Sequence, residues 1–340
     1  MNDLSPATSS GADRLVLAFA FPPFADTSAV VAAKRVRQDG RPVDVLQASL
    51  HALRRQDHTL EALTDGLVRR RRILRTPTWF SSWRAVSEFS RQGIEVVEEW
   101  NREGPGYRSM YSRAHFVHAH VLAARVKLRL PHVHWQAEMS DPLSLTALGR
   151  PRTWSSDPEA GLMAELKDGL AERGLEGPPG EGPFEWAEYL ALALADEIVF
   201  TNAAQRDLVL DLYDDPAVAA ARSRSLVVPH PTPPAQLYHR VRSDHVLEEG
   251  PVHIGYFGNF YASQQPRAVL GACGMLSPQD RRRVRLHVFT ADPEGVAATA
   301  EELGASDVII ARPQLDYLEF LQLATRMDLL LALDAASASG

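Results

Sequence analysis

The sequence predicts an α/β protein of two Rossmann-like domains with parallel sheets. Three observations predict it. Leu15–Phe21 is a continuous apolar run followed by a helical segment, the pattern of a first strand buried on both faces. Pro229-His-Pro-Thr-Pro-Pro234 reads as a stiff connector between domains. Beyond that connector the strand–turn–helix order begins again.

Composition limits the function classes. The 340 residues suffice for two ordinary domains, and 45% hydrophobic with 23% charged residues is a globular balance. A net charge of −7 argues against a nucleic-acid partner, which leaves a basic footprint. Cys273 is the single cysteine, so no disulfide or thiolate cluster forms within one chain, and a cytoplasmic setting is expected. Residues 1–13 read as a disordered leader rather than a signal peptide, and no apolar run approaches the roughly 20 residues that span a bilayer.

The first domain is expected over residues 14–232. After the first strand, Asp26-Thr27-Ser28 offers N-cap chemistry for a helix from about Ala29 to Gln38; Gly40 and Pro42 end it, and Val43–Leu46 is a second strand. Leu50 to Arg75 reads as a basic helix, and a second helix carries Trp79, Trp83, Val86, Ile94, Val97 and Trp100 near helical spacing, a core stripe rather than a sugar platform. Tyr107–Tyr111 is a strand, His115–Leu130 a helix and His132–Ala137 a strand. Residues 155–185 gather Gly, Pro and Glu and read as a flexible insertion or lid. A helix from Glu185 to Ala195, a strand Glu197–Thr201, a helix Ala203–Tyr213 and a strand Leu226–Val228 complete the domain. In the second domain, 233–340, His253–Phe257, Leu286–Phe289, Val308–Ile310 and Leu329–Leu333 are strands with helices between them. Only these strands fit before Gly340, so this domain is expected to be incomplete.

Several short segments then fall in a familiar order: Phe21-Pro-Pro-Phe24, Tyr111-Ser-Arg113 before a His-rich helix, Trp135-Gln-Ala-Glu-Met-Ser-Asp-Pro142, Ala195-Asp-Glu-Ile-Val-Phe-Thr-Asn202, Val227-Val-Pro-His230, Ile254-Gly-Tyr-Phe-Gly-Asn-Phe-Tyr261, and Pro313 through Asp334. In this the chain resembles a GT-B fold glycosyltransferase of the nucleotide-sugar-dependent group that includes family 4, over roughly Arg14 to Asp334. The resemblance implies a transferase that moves a sugar from a nucleotide-sugar co-substrate to a lipid-linked or polysaccharide acceptor in bacterial envelope or exopolysaccharide synthesis. It implies no bound metal and no other cofactor. Gly258, Asn259, Tyr261 and Arg267 would then bind the donor, and Pro23, Thr27, Ser28 and Glu138 would lie on the acceptor side.

The family's usual glycines after the first strand are replaced here by Asp26, Thr27 and Ser28, and Arg267 is the one cation near the loop after Gly258. The Glu-bearing loop that would follow Asp334 is missing. These departures support the alternative, a non-catalytic or degenerate GT-B-like protein that binds acceptor or partner without transfer. A GT-B sugar-nucleotide epimerase fits less well, because no carboxylate set for proton abstraction stands out.

Single residues carry paired readings. His118 resembles the family's acceptor-side histidine facing the cleft, or it packs between helix and sheet. Asp141 closes a strand end, where it orients the acceptor hydroxyl or takes its proton, or it caps the next helix. His115 with His118, and His132 with His134, could each form half a metal site, without a third ligand. Between Leu50 and Arg75 seven Arg oppose three acids. Arg69, Arg70, Arg71, Arg72 and Arg75 are thus candidates to dock peripherally on anionic lipid at the inner face of the plasma membrane, or form a solvated face.

Overall fold

The computed structural model describes residues 11–114, 116–146, 149–260 and 266–333. The chain divides into two compact units, one ending at Thr232 and the next beginning at Pro233.

The first unit holds a seven-stranded parallel sheet. Its strands are β1 (Arg14–Ala18), β2 (Val43–Ala48), β3 (Val68–Leu74), β4 (Ser109–Ala114), β5 (His134–Met139), β6 (Glu197–Phe200) and β7 (Ser225–Val227). Their order is β3-β2-β1-β4-β5-β6-β7, so the chain winds outward in both directions from β1 and β4. Every residue of β1 and β2 is buried, which is why these strands read as apolar runs. Helix α1 (Thr27–Asp39) starts at Asp26, whose side chain accepts from Ser28 N–H at 2.8 Å, and ends at Gly40 with φ 71°. Helix α2 (Trp83–Glu103) buries Trp83, Val86, Ile94, Val97 and Trp100, whereas Trp79 precedes the helix and is 66% exposed.

Three expectations for this unit are revised. The basic stretch before Arg75 is a short 3-10 turn, His58–Thr64, followed by the edge strand β3. Long-range pairing decides this: Arg70 lies beside Asp44 in register with β2, and its Nη2 is 2.5 Å from Asp44 Oδ2. Asp44 is wholly buried and also accepts from Tyr107 OH at 2.9 Å and from Ala12 N–H at 3.2 Å. The end of the expected leader, residues 11–13, is therefore ordered, while residues 1–10 lie outside the described residues. An edge strand rich in arginine also resists pairing with another chain.

The expected insertion contains helix α4 (Ala160–Ala171), which buries Leu162, Met163, Leu166 and Leu170 at helical spacing. It packs so closely on helix α3 (His118–Arg129) that a Cβ on Gly169 would lie 2.7 Å from Leu128 Cδ1. Glu165 ties the two helices by ion pairs to Arg125, at 2.7 Å, and to Arg129. Helices α5 (Pro183–Leu194), α6 (Ala203–Leu210) and α7 (Pro216–Ala221) complete this unit.

The second unit is a four-stranded parallel sheet in the order β10-β9-β8-β11. It contains β8 (Val252–Phe257), α8 (Pro266–Gly274), α9 (Pro278–Arg281), β9 (Val284–Thr290), α10 (Pro293–Glu302), β10 (Ile309–Pro313), α11 (Tyr317–Ala324) and β11 (Leu329–Leu330). Its small core joins Tyr256, Leu270, Leu286, Val288, Val296 and Ile309. Among the described residues no helix is long and apolar enough to cross a membrane.

Candidate functional site

Open parallel sheets bind ligands beyond the carboxyl ends of their strands, because the connecting loops and helix N-termini converge there. In the first unit that edge begins with Phe21–Phe24. Gln47 Nε2 donates to Phe21 O at 3.1 Å and Asp57 N–H to Pro23 O at 2.7 Å, so the loop is pinned and Pro23 is buried. Thr27 is exposed at the first position of α1, whereas Ser28 is buried.

Ser28 and Glu138, named separately from sequence, are joined by Arg113, which the sequence offered only as the end of the Tyr111-Ser-Arg113 segment. Arg113 Nε donates to Ser28 Oγ at 3.0 Å, and its Nη1 lies 2.9 Å from Glu138 Oε1. Arg35 from α1 reaches the same carboxylate at 3.1 Å and also donates to Val228 O at 2.9 Å. Tyr111 OH donates to Glu138 Oε2 at 2.5 Å, and His230 Nδ1 lies 3.6 Å away. Burial alone would raise the Glu138 pKa, but His230 and the two guanidiniums outweigh it and hold the group down to about 2. Burial and the adjacent carboxylate push Tyr111 well up. Glu138 has no exposed surface, so it is a fixed anion that orients Arg35 and Arg113 and does not reach an acceptor.

His118 is likewise corrected. Its ring is fully buried beside Phe19, at 4.2 Å between centroids, and Phe89, at 5.8 Å. Neither ring nitrogen has a hydrogen-bond partner among the described residues, and burial lowers its pKa to about 3. It is therefore a neutral imidazole packed between helix and sheet, not a group facing a cleft. Asp141 is exposed two residues beyond β5, and an irregular segment with a Leu145–Pro151 bridge follows it, so it caps no helix there. His115 lies outside the described residues, His132 and His134 are exposed, and no metal-holding group of three or more His, Cys, Asp or Glu occurs among the described residues.

The arginine block divides. Arg70 is committed to Asp44 and stacks over Trp100 at 4.9 Å, and Arg71 pairs with Glu61 at 2.6 Å. Arg70 is thus committed to a buried carboxylate rather than to a surface; Arg71 is half-buried, and Arg69, Arg72 and Arg75 are exposed. A hollow of about 600 Å³ with Arg14, Asp39, His134 and Glu197 in its wall lies at the amino ends of β1, β5 and β6, the wrong end for a ligand site of this topology.

In the second unit Asn259 is the organising residue of the carboxyl edge. Its Oδ1 accepts from Ala291 N–H at 3.0 Å, Gln314 Nε2 at 3.1 Å and Thr290 Oγ1 at 3.3 Å, which ties the ends of β8, β9 and β10. Gln314 and Thr290 carried no sequence signal. Gly258 stands where its backbone does not demand glycine: among the described residues a Cβ would meet only the end of the Tyr256 ring, its hydroxyl at 3.8 Å. Tyr261 lies outside the described residues.

Beside Asn259 is a hollow of about 430 Å³ that includes Phe260, Arg267, Thr290, Asp292 and Thr299 in its wall. Arg267 is paired with Glu302 at 2.8 Å across the surface, and Asp292 accepts from Gly295 N–H at 2.9 Å as the cap of α10. A second hollow, of about 440 Å³, lies between Phe289, Arg312, Gln314, Asp316 and His245. His245 ends a chain of three histidines: its Nε2 is 3.0 Å from His287 Nδ1, and His287 Nε2 is 2.8 Å from His253 Nδ1.

No protein-family model and no curated protein sequence matches this chain. Solved structures do resemble it. The catalytic domain of starch synthase IV from Arabidopsis thaliana, bound to ADP and acarbose, aligns with TM-score 0.56 and 9% identity over 94% of this chain and 78% of that one. UDP-GlcNAc 2-epimerase from Methanocaldococcus jannaschii aligns with TM-score 0.53 and 9% identity over 93% and 77%. The lipopolysaccharide outer core galactosyltransferase WaaB aligns with TM-score 0.50 and 10% identity over 95% and 74%. At these identities the likeness shows the fold: a GT-B-like pair of Rossmann-like domains, each with its own parallel sheet.

Proposed function

We propose that this protein is a glycosyltransferase that transfers a sugar from a nucleotide-sugar to a glycan or lipid-linked acceptor. The observation that carries the reading is the hollow beside Asn259, at the carboxyl ends of β8 and β9 and next to the N-terminus of α10. It is within the size of clefts that take small ligands, roughly 300–1,000 Å³. Asn259 is held rigid by its three donors, and among the described residues only Tyr256 would touch a Cβ at Gly258. Arg267 supplies the positive charge a diphosphate requires, since its exposed pair with Glu302 is weak enough to exchange for a ligand. The family's chemistry needs positive charge or helix N-terminal amides against the departing diphosphate, and it needs no metal.

One observation favours the alternative, a GT-B-like protein that binds without transfer. Asp292 caps α10 with a carboxylate and Glu294 lies in its first turn, so the helix N-terminus facing the hollow already carries acidic groups that repel phosphate. Thermal shift with UDP, GDP, ADP and their sugars separates the two. A nucleotide-sugar that raises the transition supports the transferase reading, and no response across the panel favours the alternative.

A further inference from the structure

Past β5 the chain runs through an irregular segment over a buried acid. Leu143 N–H and Ser144 Oγ each donate to Glu188 at 2.6 Å, and Tyr213 OH donates at 2.9 Å. Glu188, on α5, has no exposed surface, so three donors from the segment and from beyond α6 fix a rigid floor. Above that floor is a hollow of about 240 Å³ whose wall includes Ser144, Arg152, Trp154, Phe184, Glu185 and Tyr213. Trp154 packs on Gly182 so closely that a Cβ there would lie 3.0 Å from ring atom Cε3, yet the residue stays 44% exposed. The indole is thus anchored at Gly182 while part of its surface remains open to the hollow and to solvent. Arg152 lies over the Phe184 ring at 5.5 Å, and its buried Nε has no hydrogen-bond partner among the described residues. Glu185 is held by Gly180 N–H at 3.3 Å.

We propose that this hollow is a saccharide subsite. It would seat one pyranose ring of the acceptor, with the C–H face of the sugar on the Trp154 indole and its hydroxyls on the Arg152 guanidinium and the Glu185 carboxylate. Three features select that ligand class. A volume of about 240 Å³ lies below the roughly 300–1,000 Å³ of clefts that take drug-sized ligands, so the hollow suits a ligand smaller than a nucleotide. An aromatic face suits the apolar face of a pyranose, and charged groups bind hydroxyls more strongly than neutral ones do. The opposite charges of Arg152 and Glu185 favour a polyhydroxylated ligand over an anion. The assignment of the ring to the acceptor rests on the transferase reading.

Saturation-transfer NMR on the full chain tests it, with the methyl glycosides of glucose, galactose, mannose and N-acetylglucosamine, and with octyl glucoside. The expected result is transfer from at least one methyl glycoside, weakened about tenfold or more by Trp154→Ala and by Arg152→Ala. Trp154 is 44% exposed, and the thermal transition of each variant separates a lost sugar contact from a lost fold. No transfer from any methyl glycoside, or a signal that Trp154→Ala leaves intact, would overturn the subsite. Binding of octyl glucoside alone would assign the hollow to an acyl chain and overturn it equally. The nucleotide panel is read separately. A nucleotide response without glycoside binding removes the subsite and keeps the transferase. Glycoside binding lost in Trp154→Ala without a nucleotide response does the reverse.

Discussion

Arg35, in the third turn of α1, forks onto Glu138 near the carboxyl end of β5, with Nη2 3.1 Å from Oε1 and Nε 3.2 Å from Oε2. Helix and sheet are thus joined by a buried, charge-assisted contact rather than by apolar packing alone. The pH dependence follows from sign. The folded pKa of Glu138 is depressed to about 2, below its ordinary 4.5, so its contribution is complete above 4.5 and lost as pH falls through 2. At about 1.4 kcal/mol per pH unit this amounts to roughly 3 kcal/mol. Glu138→Gln should be less stable than wild type at pH 7, and the gap in urea-unfolding free energy should narrow between pH 4.5 and 2.

Asp44 makes a second, independent prediction. It carries Arg70, Tyr107 and the Ala12 amide from a site without solvent. Asp44→Ala leaves a guanidinium without its partner and should cost about 3–5 kcal/mol, the usual cost of breaking a buried pair. Urea unfolding measures it. A loss below 1 kcal/mol, on the scale of an exposed pair, would mean that β3 is held by its backbone ladder instead.

His118→Leu should behave in the opposite way. The ring has two buried nitrogens without partners in an aromatic setting, and an unsatisfied buried polar group costs about 1–3 kcal/mol. Leucine removes that cost, and calorimetry should find the variant as stable as wild type or more so. Its advantage should grow as pH falls from 6.5 toward about 3, because the unfolded histidine takes up a proton that the folded one refuses.

The histidine chain has only one tautomer pattern that keeps every bond. The Glu248 carbonyl can only accept, so His253 Nε2 must carry the proton at that 2.8 Å contact. His253 Nδ1 then accepts from His287 Nε2–H, and His287 Nδ1 from His245 Nε2–H. Nitrogen-15 NMR at pH 7.5 should find all three as Nε2–H tautomers. Burial and neighbouring positive charge hold His245 below its ordinary value and His287 at about 4. Their contribution is complete above pH 6.5 and fades as pH falls through 4, so the second unit should loosen over that window.

Much of the fold was legible because strands of parallel sheets are written as apolar runs. His253–Phe257 and Leu286–Phe289 fall within β8 and β9, and their neighbours lie close to the expected places. The misses have physical causes. Arginines have good helix propensity, and nothing local announces that Arg70 will meet Asp44, 26 residues earlier. The Gly, Pro and Glu of residues 155–185 masked the four apolar residues that seat α4. Glu138 was recognised as polar chemistry at a strand end, but its partner Arg35 is 103 residues away in sequence. Such a cluster is invisible until the sheet order sets β5 near α1. The hollow beside Asn259 was half legible: Gly258 and Asn259 form a turn after a strand, while Gln314 and Thr290 arrive from later strands.

The central claim is that the hollow beside Asn259 holds a nucleotide-sugar. Calorimetric titration of the nucleotide-sugar selected by thermal shift, into wild type and Arg267→Glu, tests it most directly. The Arg267–Glu302 pair lies in solvent, where ion pairs add little to stability, so the variant should keep nearly the same thermal transition. Wild type should bind measurably, and Arg267→Glu at least about tenfold more weakly, about 1.4 kcal/mol. Equal affinity in both proteins, or no binding to wild type by any member of the panel, would contradict it.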